Sequence, residues 1–168
     1  MGRYLAGCGY GAFGYVGTSH DTANAASARL SGFGKAVSDA SGTLKKQLLL
    51  KDVPSFYTGY YGTEQLLASH RDIDVIFYQN DNMAVGGYEY CKRKGLSVPG
   101  DIGIAGWGDL PITSIQSYRL TSIAVPHLKI GQHAAEMVLA QTNDQPIRPT
   151  HDVGFKLVPG TTVRSQAG

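Results

Sequence analysis

Four short apolar runs recur along the chain at intervals of about 30 residues, and they predict four buried β-strands. The runs are FGYVG at 13–17, KQLLL at 46–50, DVIFY at 74–78 and IGIAG at 102–106. Because these runs show little alternation with polar residues, we expect both faces of the resulting sheet to be covered.

Between these runs, apolar residues return with the period of an amphipathic helix. One helix face carries Ala26, Leu30, Phe33 and Val37, and another carries Ala84, Gly87, Tyr88 and Cys91. Asp81 is predicted to cap the second of these helices, and Gly95 is predicted to end it. Strands separated by amphipathic helices indicate an α/β fold with a parallel sheet.

The regular alternation stops after residue 106. A long polar loop, DLPITSIQSYRL, is followed by the segment LTSIAV, a predicted helix and a final predicted strand near VGFKLV. Gly131, Ala134, Ala135 and Val138 lie on one face of that helix.

Composition narrows the class of protein. The chain has 168 residues, enough for one large domain or two small lobes, and 15 basic against 13 acidic side chains. With a net charge of +2 and no basic run, it is not expected to bind nucleic acid by charge. No apolar run reaches the roughly 18 residues of a membrane span, and no signal peptide is evident. We therefore expect a soluble cytoplasmic chain, with Cys8 and Cys91 as reduced thiols.

Several motifs match catalytic or cofactor-binding motifs in their residues but lack the surrounding elements or the spacing that those sites need. GYGAFG at 9–14 matches GxGxxG, but it precedes a strand instead of following one, which predicts a helix end and a turn. The five histidines lack zinc-ligand spacing. Because triads are assembled across a fold, SHD at 19–21 matches one in composition only. We expect no catalytic residues, no metal and no cofactor.

Polar residues just past the predicted strand ends are the candidate ligand contacts, because ligands of open α/β sheets bind outside the carboxyl ends of the strands. These residues are His20, Asp21, Asn24, Asn80, Asp81, Trp107 and Asp109. Their side chains suit a polyhydroxylated ligand, with Trp107 covering the apolar face of a sugar ring. Alternatively, Asp81 and Asp109 only cap helices or turns, and Trp107 fills the hydrophobic core. Arg29 could pair with a ligand carboxylate or with vicinal hydroxyls, or it could be a surface charge.

The order of these motifs resembles the effector-binding domain of the lactose/galactose repressor family of bacterial transcription regulators, and especially its gluconate-type members. The residues that carry the resemblance are FGYVG, ASARLSGF, DVIFYQNDNMAVGGYEYCKRKGLSVPGDIGIAGWGD, LTSIAVPHLKIGQHAAEMVLAQ and LVPGTTVR. It implies a periplasmic-binding-protein-like fold, in which two Rossmann-like lobes close on a sugar or sugar acid and a separate N-terminal helix-turn-helix binds an operator as a dimer.

The resemblance also implies ligand-binding roles for Arg29, Asn80 and Trp107. Gly108 stands where the family has a ligand aspartate, which leaves an acid only at Asp109. Ala25 replaces a serine or threonine of the family and Pro54 a stacking aromatic, for which Phe56 is the candidate substitute. His127 lies near the crossover between lobes, where a side chain can face the cleft. Loss of one carboxylate beside a retained arginine favours an anionic sugar acid as the effector.

By the same resemblance, residues 1–125 form the second lobe of the effector-binding domain. Residues 126–157 form a crossover segment of the first lobe, and residues 158–168 a return strand and tail. The helix-turn-helix and the rest of the first lobe are absent from this sequence, which predicts an uncovered apolar helix face and no operator binding by this chain alone. A homodimer is expected, with no membrane partner.

Two other functions remain open at this stage. The same fold serves exported stand-alone sugar-binding proteins, against which the missing signal peptide and the two thiols weigh. An α/β enzyme that uses a nucleotide would depend on the misplaced GYGAFG and on SHD. Fold similarity alone does not separate these functions.

Overall fold

The computed structural model describes residues 1–19, 24–114, 117–143, 146 and 150–166, with only the backbone for residues 24 and 25. Helices and strands alternate along these residues, which confirms the predicted α/β class. The elements are α1 (Gly2–Gly7), β1 (Ala12–Thr18), α2 (Asn24–Asp39), β2 (Thr43–Leu50), α3 (Phe56–Ser69), β3 (Val75–Tyr78), α4 (Asp81–Arg93), β4 (Gly103–Ala105), a short 3-10 helix (Pro111–Thr113), β5 (Ser122–Ala124), α5 (His127–Thr142) and β6 (Lys156–Val158).

The first four strands form one parallel sheet in the order β2-β1-β3-β4. All four apolar runs of the sequence fall on these strands. Two isolated parallel bridges, Ala105 to Thr121 and Gly108 to Ala124, place the start of β5 beside the end of β4. It then pairs antiparallel with β6. The chain that follows β4 is thereby fixed against the end of the sheet.

Each face of the sheet has its own hydrophobic core. On one face, Ile76, Tyr78 and Ile104 pack against α3 and α4 through residues such as Leu66 and Met83. On the other face, Phe13, Tyr15 and Phe77 pack against α1 and α2 through residues such as Leu5 and Phe33. The strands β1, β3 and β4 are buried as the unbroken apolar runs predict. The prediction is wrong for β2, which is an edge strand of the sheet and has no buried residue.

The helix α3 is the main element that the sequence pattern did not predict. Ser55 begins it as the N-cap, since its side chain accepts a hydrogen bond from the backbone nitrogen of Thr58. The helix contains Gly59 and Gly62 and several tyrosines, so its apolar residues do not follow a clear helical period.

The helix α4 begins one residue earlier than expected. Asn80, and not Asp81, is the N-cap, because the Asn80 side chain accepts a hydrogen bond from the backbone nitrogen of Met83. Asp81 is the first helical residue and is fully buried. After the helix, Gly95 has a positive φ of 75°, which fits the predicted stop.

The stretch GYGAFG lies between the end of α1 and the start of β1. Gly9 takes a positive φ of 82° in the turn that leaves the helix. The order helix, glycines, strand is the reverse of a dinucleotide-binding motif, as the sequence predicted.

The helix α5 packs differently from the other long helices. None of its residues is buried, and the predicted face of Gly131, Ala134, Ala135 and Val138 is exposed. Among the described helices, none is long and apolar enough to cross a membrane.

Candidate functional site

The carboxyl ends of β1, β3 and β4 lie side by side, because β3 pairs in parallel with both of the other strands. The residues that follow these ends are therefore neighbours in space. Asn80 follows β3, and Trp107 and Asp109 follow β4. This end of the sheet is the candidate effector site.

Gln79 links the ends of β1 and β3. Its side-chain Oε1 accepts a hydrogen bond from the backbone nitrogen of Thr18 at 2.6 Å, and the residue is buried. Sequence reasoning did not single out this residue. The feature of the sequence that could have pointed to Gln79 is its position between the last residue of β3 and the N-cap of α4.

Arg29 reaches the same end of the sheet from α2. Its Nη1 donates a hydrogen bond to the backbone oxygen of Gln79 at 2.9 Å, and its Cζ lies 4.3 Å from the centroid of the Trp107 ring. An arginine stacked on an indole is held by cation–π attraction. The surface-charge alternative for Arg29 is therefore wrong: the guanidinium is half-buried and positioned by two neighbouring strand ends.

Trp107 offers its ring to this arginine. The indole is half-buried and also packs against the core formed with α1 and α2. We expected the ring face to cover a sugar, but the guanidinium lies over it, because the cation is attracted to the ring's negative face. The site thus presents an aromatic-supported cation.

A small cavity adjoins this pair. It has a volume of about 180 Å³, and its walls include Arg29, Trp107, Phe77 and Ala28. Ligand pockets for drug-sized molecules span about 300–1,000 Å³. The space beside Arg29 is smaller than such a pocket.

Asn80 combines a structural role with an available donor. Its Oδ1 accepts the hydrogen bond from Met83 at 2.9 Å, which caps α4. Its amide nitrogen makes no hydrogen bond to a described residue, and the side chain is half-buried. A ligand hydroxyl at the strand end could accept a hydrogen bond from this nitrogen.

Asp81 is enclosed by the protein. Ser122 donates a hydrogen bond from its Oγ to Oδ1 of Asp81 at 2.6 Å, and the backbone nitrogen of Leu110 donates to Oδ2 at 2.8 Å. Burial raises the pKa of Asp81, and these two hydrogen bonds oppose that shift. The predicted ligand role does not match this placement, because one carboxylate oxygen joins α4 to the start of β5 and the other joins it to the β4–β5 connection.

The turn after Trp107 has two residues with positive φ, Gly108 at 128° and Asp109 at 50°. Glycine adopts such values without steric cost, and aspartate tolerates the left-handed region better than most residues. The turn is fixed by a hydrogen bond from the backbone nitrogen of Gly108 to the oxygen of Ile123 at 2.9 Å. Gly108 therefore allows this backbone turn. It stands at the position where the family that this chain resembles has a ligand aspartate.

The Asp109 side chain has partners within the chain. Its Oδ1 lies 3.6 Å from Nη2 of Arg119 and accepts a hydrogen bond from Thr113 at 3.2 Å. The carboxylate is 25% exposed, so it remains accessible to a ligand at the rim of the site.

Phe56 and His127 lie on other elements. Phe56 begins α3 and lines a cavity of about 230 Å³ with Tyr88 and Tyr118, apart from the cavity beside Arg29. His127 is the exposed first residue of α5. Neither residue lines the cavity beside Arg29 and Trp107.

Some expectations fall outside the described residues. These are the roles given to His20 and Asp21 and to the side chains of Asn24 and Ala25. Among the residues that the structure does describe, no group of three or more histidine, cysteine, aspartate or glutamate side chains could hold a metal ion. Both cysteines are free and buried, as the sequence predicted, and burial raises the pKa of Cys91 to about 12.

Residues 3–163 match the model of the periplasmic binding protein-like domain. The chain belongs to this family. It is also similar to the HTH-type transcriptional regulator GntR of Escherichia coli, with 32% identity over 79% of this chain and 40% of that protein. The lactose operon repressor of Rhizobium radiobacter is 35% identical over 51% of this chain and 76% of that protein.

The chain is also similar in structure to solved transcription regulators. The transcription regulator GntR of Chromobacterium violaceum superposes with a TM-score of 0.89 and 28% identity, over 96% of this chain and 59% of that one. These matches confirm the resemblance to the effector-binding domain of the lactose/galactose repressor family and the periplasmic-binding-protein-like fold. The chain spans about 40% of the length of the Escherichia coli regulator.

Proposed function

We propose that this chain is the effector-sensing part of a bacterial transcription regulator of the lactose/galactose repressor type. A sugar or sugar acid would bind at the carboxyl end of the sheet, between this lobe and a second lobe. Binding would close the lobes and shift the regulator between an operator-binding form and a released form. The relatives described above are regulators, which favours this function over a stand-alone sugar receptor and over an enzyme.

The observation that carries the proposal is the position of Arg29. Its guanidinium is held by the Trp107 ring and the Gln79 carbonyl at the end of the sheet where ligands of this fold class bind. The amide nitrogen of Asn80 and the carboxylate of Asp109 lie on the residues that follow the same strand ends. This set can hold an anionic group together with several hydroxyls.

The small size of the cavity supports a two-lobed site. With about 180 Å³ beside Arg29, this chain offers one wall for a ligand. We assign residues 1–125 to the second lobe, 126–157 to a segment of the first lobe and 158–168 to a return strand and tail. Phe56 and His127 stay candidate contacts in a closed form that unites both lobes.

The partners follow from the same proposal. Operator DNA would be bound through an N-terminal helix-turn-helix of a longer protein, and the regulator would act as a homodimer in the cytoplasm. Two buried free cysteines fit a reducing compartment. Exposed aromatic side chains on α3, namely Tyr57 at 68% and Tyr61 at 54%, are available for contact with a second copy.

The test is a thermal melt with gluconate, galactonate, glucose, galactose and ribose, each in excess. We expect a sugar acid to raise the melting temperature of the chain more than the neutral sugars do, because a ligand that binds only the folded form stabilises it. Arg29→Ala should abolish the shift, and Arg29→Lys should reduce it, since lysine cannot pair bidentately with a carboxylate.

Arg3→Ala is the matched control, because Arg3 is an exposed arginine on α1. It should leave the ligand-induced shift unchanged. A shift that Arg29→Ala retains in full would remove the sugar-acid site at Arg29. An equal shift by neutral sugars and sugar acids would contradict the choice of ligand.

A further inference from the structure

A second concave surface lies at the opposite end of the sheet from the candidate effector site. It is a groove of about 710 Å³, and its floor includes Leu67, Leu96 and Ile102. Ile102 directly precedes β4, so the groove is at the amino ends of the strands. Its volume is within the range of small-molecule sites.

Tyr90 gives the groove a polar group without a partner. The side chain is only 8% exposed, and it lines the groove. Its ring packs edge-on against Tyr60, at 5.3 Å between centroids. The hydroxyl makes no hydrogen bond to any described residue, and it is not among the buried unpaired atoms of these residues, so it is accessible to a ligand in the groove.

Charged side chains of both signs line the same groove. Glu64 and Asp101 line the groove together with Arg71 and Lys94, and the ammonium of Lys94 lies 5.5 Å from the centroid of the Tyr90 ring. None of the four pairs with an opposite charge elsewhere in the described chain. Asp101 accepts one hydrogen bond, from the backbone nitrogen of Ser97 at 2.7 Å.

The presence of both acidic and basic side chains in the groove favours a ligand that itself carries both charges. A simple anion would meet the carboxylates of Glu64 and Asp101, and a simple cation would meet Arg71 and Lys94. A ligand with one group of each sign can satisfy both sets at once. The apolar floor favours a hydrophobic body between those two groups.

We propose that this groove binds a small zwitterion with apolar side chains, of the size of a short peptide. The carboxylate of the ligand contacts Lys94 and Arg71, and its ammonium group contacts Glu64. The Tyr90 hydroxyl hydrogen-bonds to one of these charged groups. The site is separate from the one at Arg29, because the two lie at opposite ends of the parallel strands.

The experiment is isothermal titration calorimetry of the whole chain with the dipeptide leucyl-leucine. We expect saturable binding with a stoichiometry of one. N-acetyl-leucyl-leucinamide has the same apolar body without the two charges and should not bind. Tyr90→Phe, Lys94→Gln and Glu64→Gln should each weaken binding about tenfold, the usual effect of losing a hydrogen bond to a charged group.

Lys92→Gln is the matched control, since Lys92 is exposed on the same helix and does not line the groove. It should leave the affinity unchanged, as should Arg29→Ala, which separates this site from the effector site. Absence of saturable heat with leucyl-leucine would overturn the proposal. Equal binding of the blocked peptide, or an equal loss with Lys92→Gln, would also overturn it.

Discussion

The residues at the carboxyl end of the sheet divide into those that hold the site together and those that can contact a ligand. Asp81 and Gln79 are buried and use their oxygens within the protein. Arg29 and Asn80 are half-buried and reach the same place. Neighbours in the sequence thus take different roles: Asn80 is both a cap and a candidate contact, whereas Asp81 is structural.

The raised pKa of Asp81 predicts a pH dependence of stability. Burial raises the folded-state pKa above the ordinary value of 3.8, so between these two values the folded chain binds more protons than the unfolded chain. This contribution to stability is fully present below 3.8, and it is lost as pH rises through the higher folded-state pKa.

Asp81→Asn removes this titration while keeping a group of similar shape that can still pair with Ser122 and Leu110. We expect the free energy of unfolding of the unmodified chain to fall relative to that of Asp81→Asn as pH rises from about 4 to about 7. Urea unfolding at several pH values measures this difference. A constant difference with Asp81→Asn would show that its pKa is not raised in the folded chain.

At the scale of elements, the contact between α3 and α4 depends on glycines. A Cβ on Gly59 would meet the backbone of Met83, and a Cβ on Gly86 would meet the backbone oxygen of Phe56. The two helix backbones therefore approach more closely than side chains would allow. The glycines that blur the helical pattern of α3 in the sequence are the residues that let it pack.

We therefore expect Gly86→Ala to lower the free energy of unfolding by about 3 kcal/mol, because the added methyl group must push the two helices apart. Gly32→Ala on α2 is the matched control, since nothing lies within 4 Å of a Cβ at that position. It should raise the free energy of unfolding by about 0.5–1 kcal/mol through helix propensity. Urea denaturation measures both, and an unchanged stability for Gly86→Ala would contradict the close packing.

At the scale of the whole molecule, the helix α5 is left uncovered by the rest of the described chain. Leu128 is 77% exposed, Val138 62% and Leu139 63%, and Phe155 beside the start of β6 is 72% exposed. Apolar side chains exposed together favour association with another surface. The sequence predicted an exposed apolar face on this helix, and none of the residues of α5 is buried.

We expect the chain to self-associate through α5. The double substitution Leu128→Glu and Leu139→Glu should reduce association in sedimentation velocity over a range of concentrations, with little change in melting temperature, because neither side chain is buried. Val53→Glu changes another exposed apolar residue, outside α5, and should not alter the association. Unchanged sedimentation of the double variant would show that α5 is not the associating surface.

The sequence by itself determined the α/β class and the four parallel strands, and it pointed to the candidate ligand end of the sheet. These follow from local patterns: unbroken apolar runs mark strands, and the carboxyl ends of parallel strands meet at one end of a sheet. It also placed Arg29, Asn80 and Trp107 near that end, because each lies within a few residues of a strand end or a helix start.

Only the tertiary structure decided how these groups face one another. The enclosure of Asp81 depends on Ser122, 41 positions away, and the stacking of Arg29 on Trp107 joins α2 to the end of β4. Such pairings depend on how separate elements pack, and a local period of apolar residues carries no information about them.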